Sequence, residues 1–430
     1  MEIIKKYPSY KDSGVEWIGQ IPEHWELIKL KRSLKIMNGK EIRNEIDIND
    51  SEVINVFGSG GVFKKTNQFL YNGQSVLFGR KGTIGKPLYV DGKFWTVDTM
   101  YYTKFHKGMQ PKWFYYMFNV FPWDLYTTKT ALPSIVGTDI ENEFWAVPDL
   151  REQQEIVKLL DNKTTEIDLL ISDNEKLITL LEEKRQAIIT EAVTKGLNLD
   201  VKMKDSGVEW IGEIPEHWEK NKVKYSTYVK GRIGWQGLRS DEFIDEGPYL
   251  VTGTDFENGL INWETCYHIR EERFNEAPAI QLKEDDLLIT KDGTIGKIAI
   301  VRNKPEQAIL NSGVFVTRCL NNQYLTEYMY WVLSSEVFNK YIKYMETGST
   351  IKHLYQETFV NFIYPLPNIT EQKEIVDYLN EETNDIDSII FGTKKQIEKI
   401  KEYRQSLIYE AVTGKIDVQN YKGEEVLLHE

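Results

Sequence analysis

The sequence is poor in cysteine and has no long apolar run. Only Cys266 and Cys319 occur among 430 residues, which excludes a disulfide framework and the ligand spacing of a zinc site. We expect both to be small buried side chains in a reducing compartment. No run of 18 apolar residues occurs, and the first ten residues lack the apolar segment of a signal peptide. These features predict a cytoplasmic protein without a membrane span.

The motifs of nucleotide-binding and methyl-transferring enzymes are also absent. The sequence contains no Walker A segment, no G-x-G-x-x-G and no Asn-Pro-Pro-aromatic motif. Gly58-Ser59-Gly60-Gly61 is glycine-rich, but its spacing matches no phosphate-binding fingerprint. Pro148-Asp149 followed by Glu152 lacks the Glu-x-Lys of a nuclease core and fits an acidic helix start better. We therefore predict no catalytic, cofactor-binding or metal-binding residues in this chain.

One helix-patterned segment occurs twice, at a constant offset of 219 residues. Its first residues, Glu152-Gln153-Gln154-Glu155-Ile156-Val157, recur as Glu371-Gln372-Lys373-Glu374-Ile375-Val376. Apolar residues at alternating intervals of three and four predict a heptad seam, so the two long helices should pack on each other. Polar residues at one equivalent position of the two seams would help to fix the register. The predicted seam residues are Ile167, Leu170, Asn174, Leu177, Leu181 and Ile188 in the first copy and Ile386, Ile389, Thr393, Ile400, Tyr403 and Leu407 in the second.

A second repeat precedes each half of the chain. The segment Lys11–Glu26 recurs as Lys204–Glu219 with a single change. Its tryptophans and isoleucines are too apolar to remain in solvent, so we expect each copy to dock on its own domain or on the helices. His24 and His217 have no companion ligands at metal spacing, which argues against a metal site.

The stretches between these repeats, 27–149 and 220–367, have diverged and suggest mixed strands and helices. Six short apolar segments predict buried strands, and two longer segments predict helices. The strands are Ser75–Phe78, Pro87–Val90, Tyr101–Phe105, Asp286–Ile289, Ile298–Val301 and Gly313–Thr317, and the helices are Pro111–Phe121 and Leu325–Met345.

A glycine turn occurs in both diverged stretches. Arg80-Lys81-Gly82-Thr83-Ile84-Gly85-Lys86 parallels Lys291-Asp292-Gly293-Thr294-Ile295-Gly296-Lys297. Neither is a P-loop, because Pro87 and Ile298 stand where a magnesium-binding Ser or Thr would be. Two interpretations stay open: a tight turn that joins two core strands, or a turn that also contacts phosphate.

The net charge of −13 argues at first against nucleic acid as a partner. The acid is concentrated on the predicted helices, since residues 150–200 carry −4 and residues 368–430 carry −6. The stretch 11–149 holds 17 basic and 16 acidic residues. A local basic face on the diverged stretches is therefore compatible with the total charge.

Taken together, the sequence resembles the specificity (S) subunit of type I restriction-modification systems. The resemblance rests on the paired Trp-Ile-Gly-x-Ile-Pro-Glu-His-Trp segments, the Gly-Thr-Ile-Gly-Lys turns and the paired Glu-Gln…Ile-Val helices that end in Arg-Gln…Glu-Ala-Val-Thr. It implies an α+β fold in which two mixed target-recognition domains are separated by an antiparallel coiled coil of two long helices. The implied domains are 1–149 and 198–367 for target recognition, 150–197 and 368–416 for the helical spacers, and 417–430 for a tail.

The resemblance also implies partners and a division of labour. The domains would each recognise half of a bipartite site in double-stranded DNA, and the helices would dock two methyltransferase (M) subunits, with two restriction (R) subunits completing the enzyme. S-adenosylmethionine, ATP and Mg would be bound by those partners, and this chain would be non-catalytic.

Residues that contact DNA cannot be carried over from the family, so we select candidates on physical grounds. They are cations on or near the glycine turns and on polar loop-like stretches: Arg80, Lys81, Lys86, Lys64, Lys65, Arg232, Arg239, Lys291, Lys297 and Lys352. Two other functions stay open. One is a coiled-coil scaffold whose globular parts bind proteins or glycans, which the acidic charge favours. The other, a self-contained nuclease or methyltransferase, is the least favoured because its motifs are missing.

Overall fold

The computed structural model describes residues 6–42, 53–198, 200–232, 238–346 and 353–418. The chain divides into two compact units: unit 1 comprises residues 1–175 and 394–430, and unit 2 comprises residues 176–393. Each unit contains part of both long helices, α3 (Leu150–Lys195) and α9 (Ile369–Val412). The α+β class predicted from the sequence is confirmed.

Besides its share of the long helices, unit 1 contains two four-stranded sheets and two two-stranded ones in its described part. Its described strands form a β1-β2 hairpin, the sheets β6-β5-β10-β7 and β4-β11-β8-β9, and the pair β12-β3. The elements are β1 (Tyr10–Asp12), β2 (Gln20–Pro22), β3 (Glu26–Lys29), β4 (Leu34–Asn38), β5 (Ile54–Gly58), β6 (Gly61–Thr66), β7 (Tyr71–Asn72), β8 (Ser75–Gly79), β9 (Leu88–Val90), β10 (Lys93–Thr96), β11 (Met100–Phe105), α1 (Pro111–Asn119), α2 (Gly137–Asn142) and β12 (Phe144–Val147).

Unit 2 repeats this plan with a longer central sheet. Its described strands form the hairpin β13-β14, the pair β15-β25, the sheet β16-β24-β21-β22-β19-β18 and the sheet β20-β17-β23. The elements are β13 (Met203–Asp205), β14 (Glu213–Pro215), β15 (Glu219–Lys222), α4 (Val223–Ser226), β16 (Thr227–Gly231), β17 (Phe243–Val251), β18 (Phe256–Glu257), β19 (Leu260–Ile261), β20 (Tyr267–Ile269), α5 (Glu271–Asn275), β21 (Leu287–Thr290), β22 (Ile298–Ile300), β23 (Ala308–Leu310), β24 (Val314–Cys319), α6 (Thr326–Ser334), α7 (Glu336–Glu346), α8 (Gln356–Val360) and β25 (Ile363–Leu366).

The two units share a strand framework despite their different sequences. The antiparallel order β4-β11-β8-β9 in unit 1 corresponds to β16-β24-β21-β22 in unit 2. The parallel pair β5 and β10 corresponds to the parallel pair β17 and β23. In both units the strand before the long helix, β12 or β25, pairs with the strand that follows the repeated tryptophan segment. The sequence repeat is therefore also a repeat of topology.

The repeated tryptophan segment docks on the start of the long helix within its own unit. In unit 1 the buried carboxylate of Glu152 accepts hydrogen bonds from Trp25 Nε1 (3.1 Å) and Tyr7 Oη (2.5 Å), and His24 Nε2 lies 2.8 Å from it. In unit 2 Glu371 contacts Trp218 Nε1 (3.3 Å) and His217 Nε2 (2.8 Å). Each histidine thus partners a carboxylate at the helix start.

The glutamine that follows each of these glutamates also has one role in both units. Gln153 donates to Pro148 O (2.8 Å) and accepts from Gln110 N (3.0 Å), while Gln372 donates to Pro367 O (2.9 Å) and accepts from Leu325 N (2.8 Å). Both glutamines are almost fully buried. The repeated Glu-Gln pair therefore ties the long helix to the strand before it and to the loop ahead of a short helix.

The long helices present one buried stripe each, but the predicted phase of the heptads was partly wrong. Along α3 the stripe passes from Ile167 to Ile171, and along α9 from Ile386 to Ile390, in steps of four residues where we predicted three. Because Leu170-Ile171 and Ile389-Ile390 are both apolar, the sequence allows either phase. Of the predicted seam, Ile167, Ile386, Thr393 and Leu407 are buried, Asn174, Leu181, Ile188 and Ile400 are half-buried, and Leu170, Leu177, Ile389 and Tyr403 are 43–52% exposed.

Each polar seam residue makes a hydrogen bond within its own helix. Asn174 Nδ2 donates to Leu170 O (2.7 Å), and Thr393 Oγ1 donates to Ile389 O (2.9 Å), so each bonds to the preceding turn of its own helix. Our prediction that this pair helps to fix the register stays a prediction.

Of the strand and helix predictions in the diverged stretches, one needs correction. The segment Leu325–Met345 was predicted as one helix, but it forms α6 and α7, which are separated at Ser335. Ser335 is buried with extended backbone angles, and its hydroxyl bonds to Val332 O (2.7 Å) and accepts from Val337 N (3.3 Å). This side chain therefore ends one helix and caps the next. No helix in the described part of the chain is long and apolar enough to cross a membrane.

Candidate nucleic-acid interface

In unit 1 the antiparallel sheet β4-β11-β8-β9 gathers polar residues at one end. Arg80 N donates to Thr99 O (2.8 Å), and Lys40 N donates to Thr96 O (2.9 Å). The ends of β4 and β8 and the beginning of β11 therefore lie side by side. Asn38, Lys40, Thr99 and Lys81 are exposed there. We refer to this region, residues 38–40, 79–86 and 97–100, as the unit 1 sheet end.

The glycine turn Arg80–Lys86 lies against a second loop at this end. Gly82 N donates to Pro133 O (2.9 Å), and Ile135 N donates to Arg80 O (3.1 Å). The turn is tight: Thr83 O approaches Gly79 so closely that a Cβ added to Gly79 would lie 1.9 Å from it. The guanidinium of Arg80 is 5.8 Å from the ring centroid of Tyr101, which orients it by a cation–π contact. The turn thus has a structural role, and Lys81 and Lys86 remain exposed on it.

Unit 2 has the equivalent end on the sheet β16-β24-β21-β22. Lys291 N donates to Gly313 O (2.9 Å), and Leu354 N donates to Lys291 O (2.8 Å). Here Thr290 occupies the position of Gly79, and its hydroxyl bonds to Thr294 O, which closes the turn by a side chain instead of a close backbone approach. Lys297 is exposed, and its Nζ lies 3.3 Å from Gly253 O. We refer to residues 231–232, 290–297 and 311–313 as the unit 2 sheet end.

A histidine–aspartate contact that the sequence did not suggest lies beside this turn. His353 Nδ1 contacts Asp292 Oδ1, and the backbones of the two residues form a β-bridge. The Lys81–Ser134 bridge has the same place in unit 1. The carboxylate of Asp292 therefore has a hydrogen-bonding partner within unit 2.

The structure places the remaining candidate cations in different settings. Lys64 and Lys65 are exposed on β6, and Arg239 is exposed at the beginning of a short 3₁₀ turn. Lys291 is half-buried with Nζ 5.2 Å from the ring centroid of Phe315. Lys352 lies outside the described residues.

Arg232 does not fit the role predicted for it. Its residue surface is only 3% exposed, and its Nε donates to Leu310 O (3.0 Å). Burial, followed by the neighbouring charge of Arg273, lowers the pKa of its guanidinium. Arg232 therefore ties the end of β16 to β23, and its burial does not support the contact with DNA that we predicted for it.

The units share the framework but differ in what projects beyond the sheet end. In unit 1 the parallel strand β5 continues into a hairpin with β6. In unit 2 β17 continues into the turn Thr252–Asp255, in which Asp255 Oδ2 accepts from Thr252 N (2.7 Å) and from the Thr252 hydroxyl (2.9 Å). We did not predict these elements, although the segments Gly58–Gly61 and Thr252–Asp255 each follow an apolar strand and have the composition of a turn.

Neither sheet end has the constellation of a catalytic site. In the described part of the chain, no group of three His, Cys, Asp or Glu side chains could hold a metal ion. Exposed cations, hydroxyls and amides on rigid strand ends are instead suited to phosphate and base-edge hydrogen bonds. The unit 1 end also carries the exposed acid Asp98, so its basic character is local.

Comparisons with known proteins all point to the same family. The family model of the type I restriction modification DNA specificity domain matches residues 22–179 and 236–399. The MjaVIII specificity subunit of Methanocaldococcus jannaschii is 25% identical over 421 residues, which cover 93% of this chain and 95% of that protein. The EcoBI specificity subunit of Escherichia coli is 23% identical over 300 residues, 68% of this chain and 62% of that protein.

Solved structures share the fold. A chain from a study of complex assembly and conformational transition of the type I R-M system has a TM-score of 0.69 at 14% identity, covering 92% of this chain and 99% of that one. The HsdS subunit of Thermoanaerobacter tengcongensis has a TM-score of 0.50 at 14% identity, covering 92% and 98%. Two matched domains, and a framework repeated in both units, lead to one conclusion: this chain belongs to the type I restriction-modification DNA specificity domain family.

Proposed function

We propose that this chain recognises an asymmetric, bipartite site in double-stranded DNA as the specificity subunit of a type I restriction-modification enzyme, with one half-site for each unit. The observation that carries the proposal is the repeated sheet end, which has one strand order in both units and different exposed residues in each. Identical dimers recognise palindromes, whereas two unlike units in one chain favour two unlike half-sites.

Phosphate contacts would position each unit, and a few side chains would recognise base edges in the major groove. The exposed cations Lys81, Lys86 and Lys297 are the phosphate contacts that the geometry supports best. If the half-sites lie about 10 bp apart, centre to centre, the unread gap would be roughly 5–8 bp.

Catalysis would belong to partner subunits. The chain is a specificity subunit, not an enzyme, and we propose that it docks two methyltransferase (M) subunits and two restriction (R) subunits. Those partners would bind S-adenosylmethionine, ATP and Mg. A duplex DNA ligand also supports a cytoplasmic location.

Adenine-methylation sequencing of the host genome, with the gene intact and deleted, tests this function. We expect deletion to abolish methylation of one split, asymmetric motif, which would supply both half-sites. An unchanged methylome, in a strain whose partner subunits are demonstrably expressed, would contradict the proposal. Salt-insensitive binding to protein or glycan would then favour a scaffold.

A further inference from the structure

The β5–β6 hairpin of unit 1 carries an exposed apolar pair. Val62 is 49% exposed and Phe63 is 53% exposed, and two exposed lysines follow them. The strand register shifts here: Phe57 pairs with Val62 and Val56 pairs with Lys64. Phe63 is therefore the extra residue of a β-bulge, a feature that redirects one side chain away from the regular alternation.

The Phe63 ring is held in place. It lies against the backbone of Gly58, where an added Cβ would be 3.2 Å from both Cδ1 and Cε1. Lys64 Nζ is 5.9 Å from the ring centroid. The ring therefore keeps a defined position while half of its surface stays open to solvent.

The hairpin projects from the unit 1 sheet end. Because β5 runs parallel to β10, its tip leaves the sheet where β10 turns into residues 97–99. Val97 N donates to Phe57 O (3.3 Å), and two residues later Thr99 O accepts from Arg80 N (2.8 Å). The hairpin base and the glycine turn thus flank the same short segment.

The corresponding position in unit 2 carries the turn Thr252–Asp255, which contains no apolar residue, and Phe256 after it is only 8% exposed. The strand framework is the same in both units, whereas the tip differs. A difference between the DNA sequences that the two units recognise would therefore arise at the tip. The exposed apolar pair on the unit 1 tip is compatible with this role because the major groove also carries an apolar group, the thymine methyl.

We propose that the β5–β6 hairpin enters the major groove of the half-site bound by unit 1 and that Phe63 contacts the 5-methyl group of a thymine. Lys65, two residues further along β6, contacts a flanking phosphate. The groove is about 12 Å wide and admits a two-stranded β-ribbon. Continuity with the cations Arg80 and Lys81 gives the hairpin the charge that duplex DNA requires. This inference rests on the proposed function.

The test measures binding of the chain, assembled with its methyltransferase subunits, to duplexes that carry the methylated motif. Deoxyuridine replaces each thymine of one half-site in turn, which removes a single methyl group. For the wild type, one replacement should weaken binding by about fourfold, the value of one buried methyl. Phe63→Ala should weaken binding to the thymine duplex. The variant should then bind the thymine and deoxyuridine duplexes equally well.

Phe69→Ala is the matched control. Phe69 is 50% exposed in the same unit and has a lysine, Lys93, 5.5 Å from its ring centroid. Its partner Lys93 is the first residue of β10, whereas the hairpin tip lies beyond the other end of that strand. This variant should bind both duplexes as the wild type does.

Two outcomes would overturn the hairpin proposal alone. In one, the wild type binds equally well whichever thymine is replaced by deoxyuridine. In the other, Phe63→Ala still loses as much affinity as the wild type when deoxyuridine replaces thymine. A wild-type assembly that binds the motif no better than a scrambled duplex would overturn the proposed function, and the hairpin proposal with it. The scrambled duplex therefore separates the two failures.

Discussion

Arg404 and Asp168 form a bidentate ion pair between the two long helices in unit 1, with Nε–Oδ1 and Nη2–Oδ2 distances of 2.8 and 3.2 Å. In unit 2 Arg185 and Asp387 repeat the pair, with an Nε–Oδ1 distance of 3.1 Å. The repeat offset of 219 maps each residue of one pair onto a residue of the other. An arginine late in one helix meets an aspartate early in the other, so within each unit the helix segments run antiparallel.

We expect this pair to contribute to register. In a double-mutant cycle of Asp168→Asn and Arg404→Gln, the coupling should be about 0.5–1 kcal/mol and should fall as salt is added, because both side chains are partly exposed. Thermal unfolding of the four proteins measures it. The exposed i,i+4 pair Lys195–Glu191 is the control, and a coupling no larger than that of this pair would contradict the prediction.

Replacement of Glu152 should be more costly than replacement of Glu371. Glu152→Ala leaves the buried donors of Trp25 and Tyr7 without an acceptor, which should lower the free energy of unfolding by about 2–3 kcal/mol. The Glu371 side chain is 29% exposed, so water can replace it and the loss should be about 1 kcal/mol. Calorimetry of both variants measures the difference, and equal losses would refute this account.

Lys81 should contribute one phosphate contact. Lys81→Ala should make the slope of log K against log salt shallower by about 0.9, and Arg80→Ala together with Lys81→Ala by one to two units. Lys107 is exposed in the same unit, at the opposite end of β11, so Lys107→Ala should leave the slope unchanged. Binding of the assembled complex over a salt series provides the measurement. An unaltered slope for the double variant would restrict the glycine turn to a structural role.

Stability should fall steeply in alkaline solution. Burial raises the pKa of Tyr341 to about 12 and raises the pKa of Tyr116, Tyr324 and Tyr364 as well. The unfolded chain loses these protons near pH 10, so stability is full below about pH 10 and decreases above it, by about 1.4 kcal/mol per pH unit for each retained proton. Tyrosinate absorbance should therefore rise together with unfolding. Tyr341→Phe should reduce the slope by one proton, and an unchanged slope would argue against its burial in solution.

Deletion of one heptad from both helices tests whether they set the spacing of the half-sites. Removal of residues 175–181 together with residues 391–397 leaves both arginine–aspartate pairs intact and shortens each helix by about 10 Å. Methylation sequencing should then find the same half-sites with a gap shorter by about three base pairs. Deletion from a single helix should abolish methylation because the seam loses its register. An unchanged gap would exclude the helices as the spacer.

The sequence predicted the architecture well because its strongest signals are local and repeated. Short apolar segments predicted the buried strands, such as Ser75–Phe78 and Ile298–Val301. Apolar periodicity, together with a repeat at one constant offset, predicted both long helices. The heptad phase was ambiguous because two apolar residues adjoin at Leu170-Ile171, and only tertiary packing selects Ile171.

The candidate site was predicted only in part, because its geometry depends on contacts between distant residues. The sequence around Arg232 resembles that of a surface cation, because it does not show that β23 lies beside it. His353 is 61 residues away from its partner Asp292. The bulge that turns Phe63 outward arises from the pairing of β5 with β6, and no single-strand pattern reveals it.

The discontinuous make-up of unit 1 orders events during synthesis. Unit 2 is one uninterrupted stretch of chain, whereas unit 1 needs residues 394–430 in addition to residues 1–175. Leu407, Ala411 and Val412 belong to the same core as Trp25 and Trp145. Most of unit 1 is therefore synthesised before unit 2, but its core closes only after residues 394–412 have been made. A stop codon at residue 394 would therefore damage unit 1, although residues 1–175 of that unit would still be made.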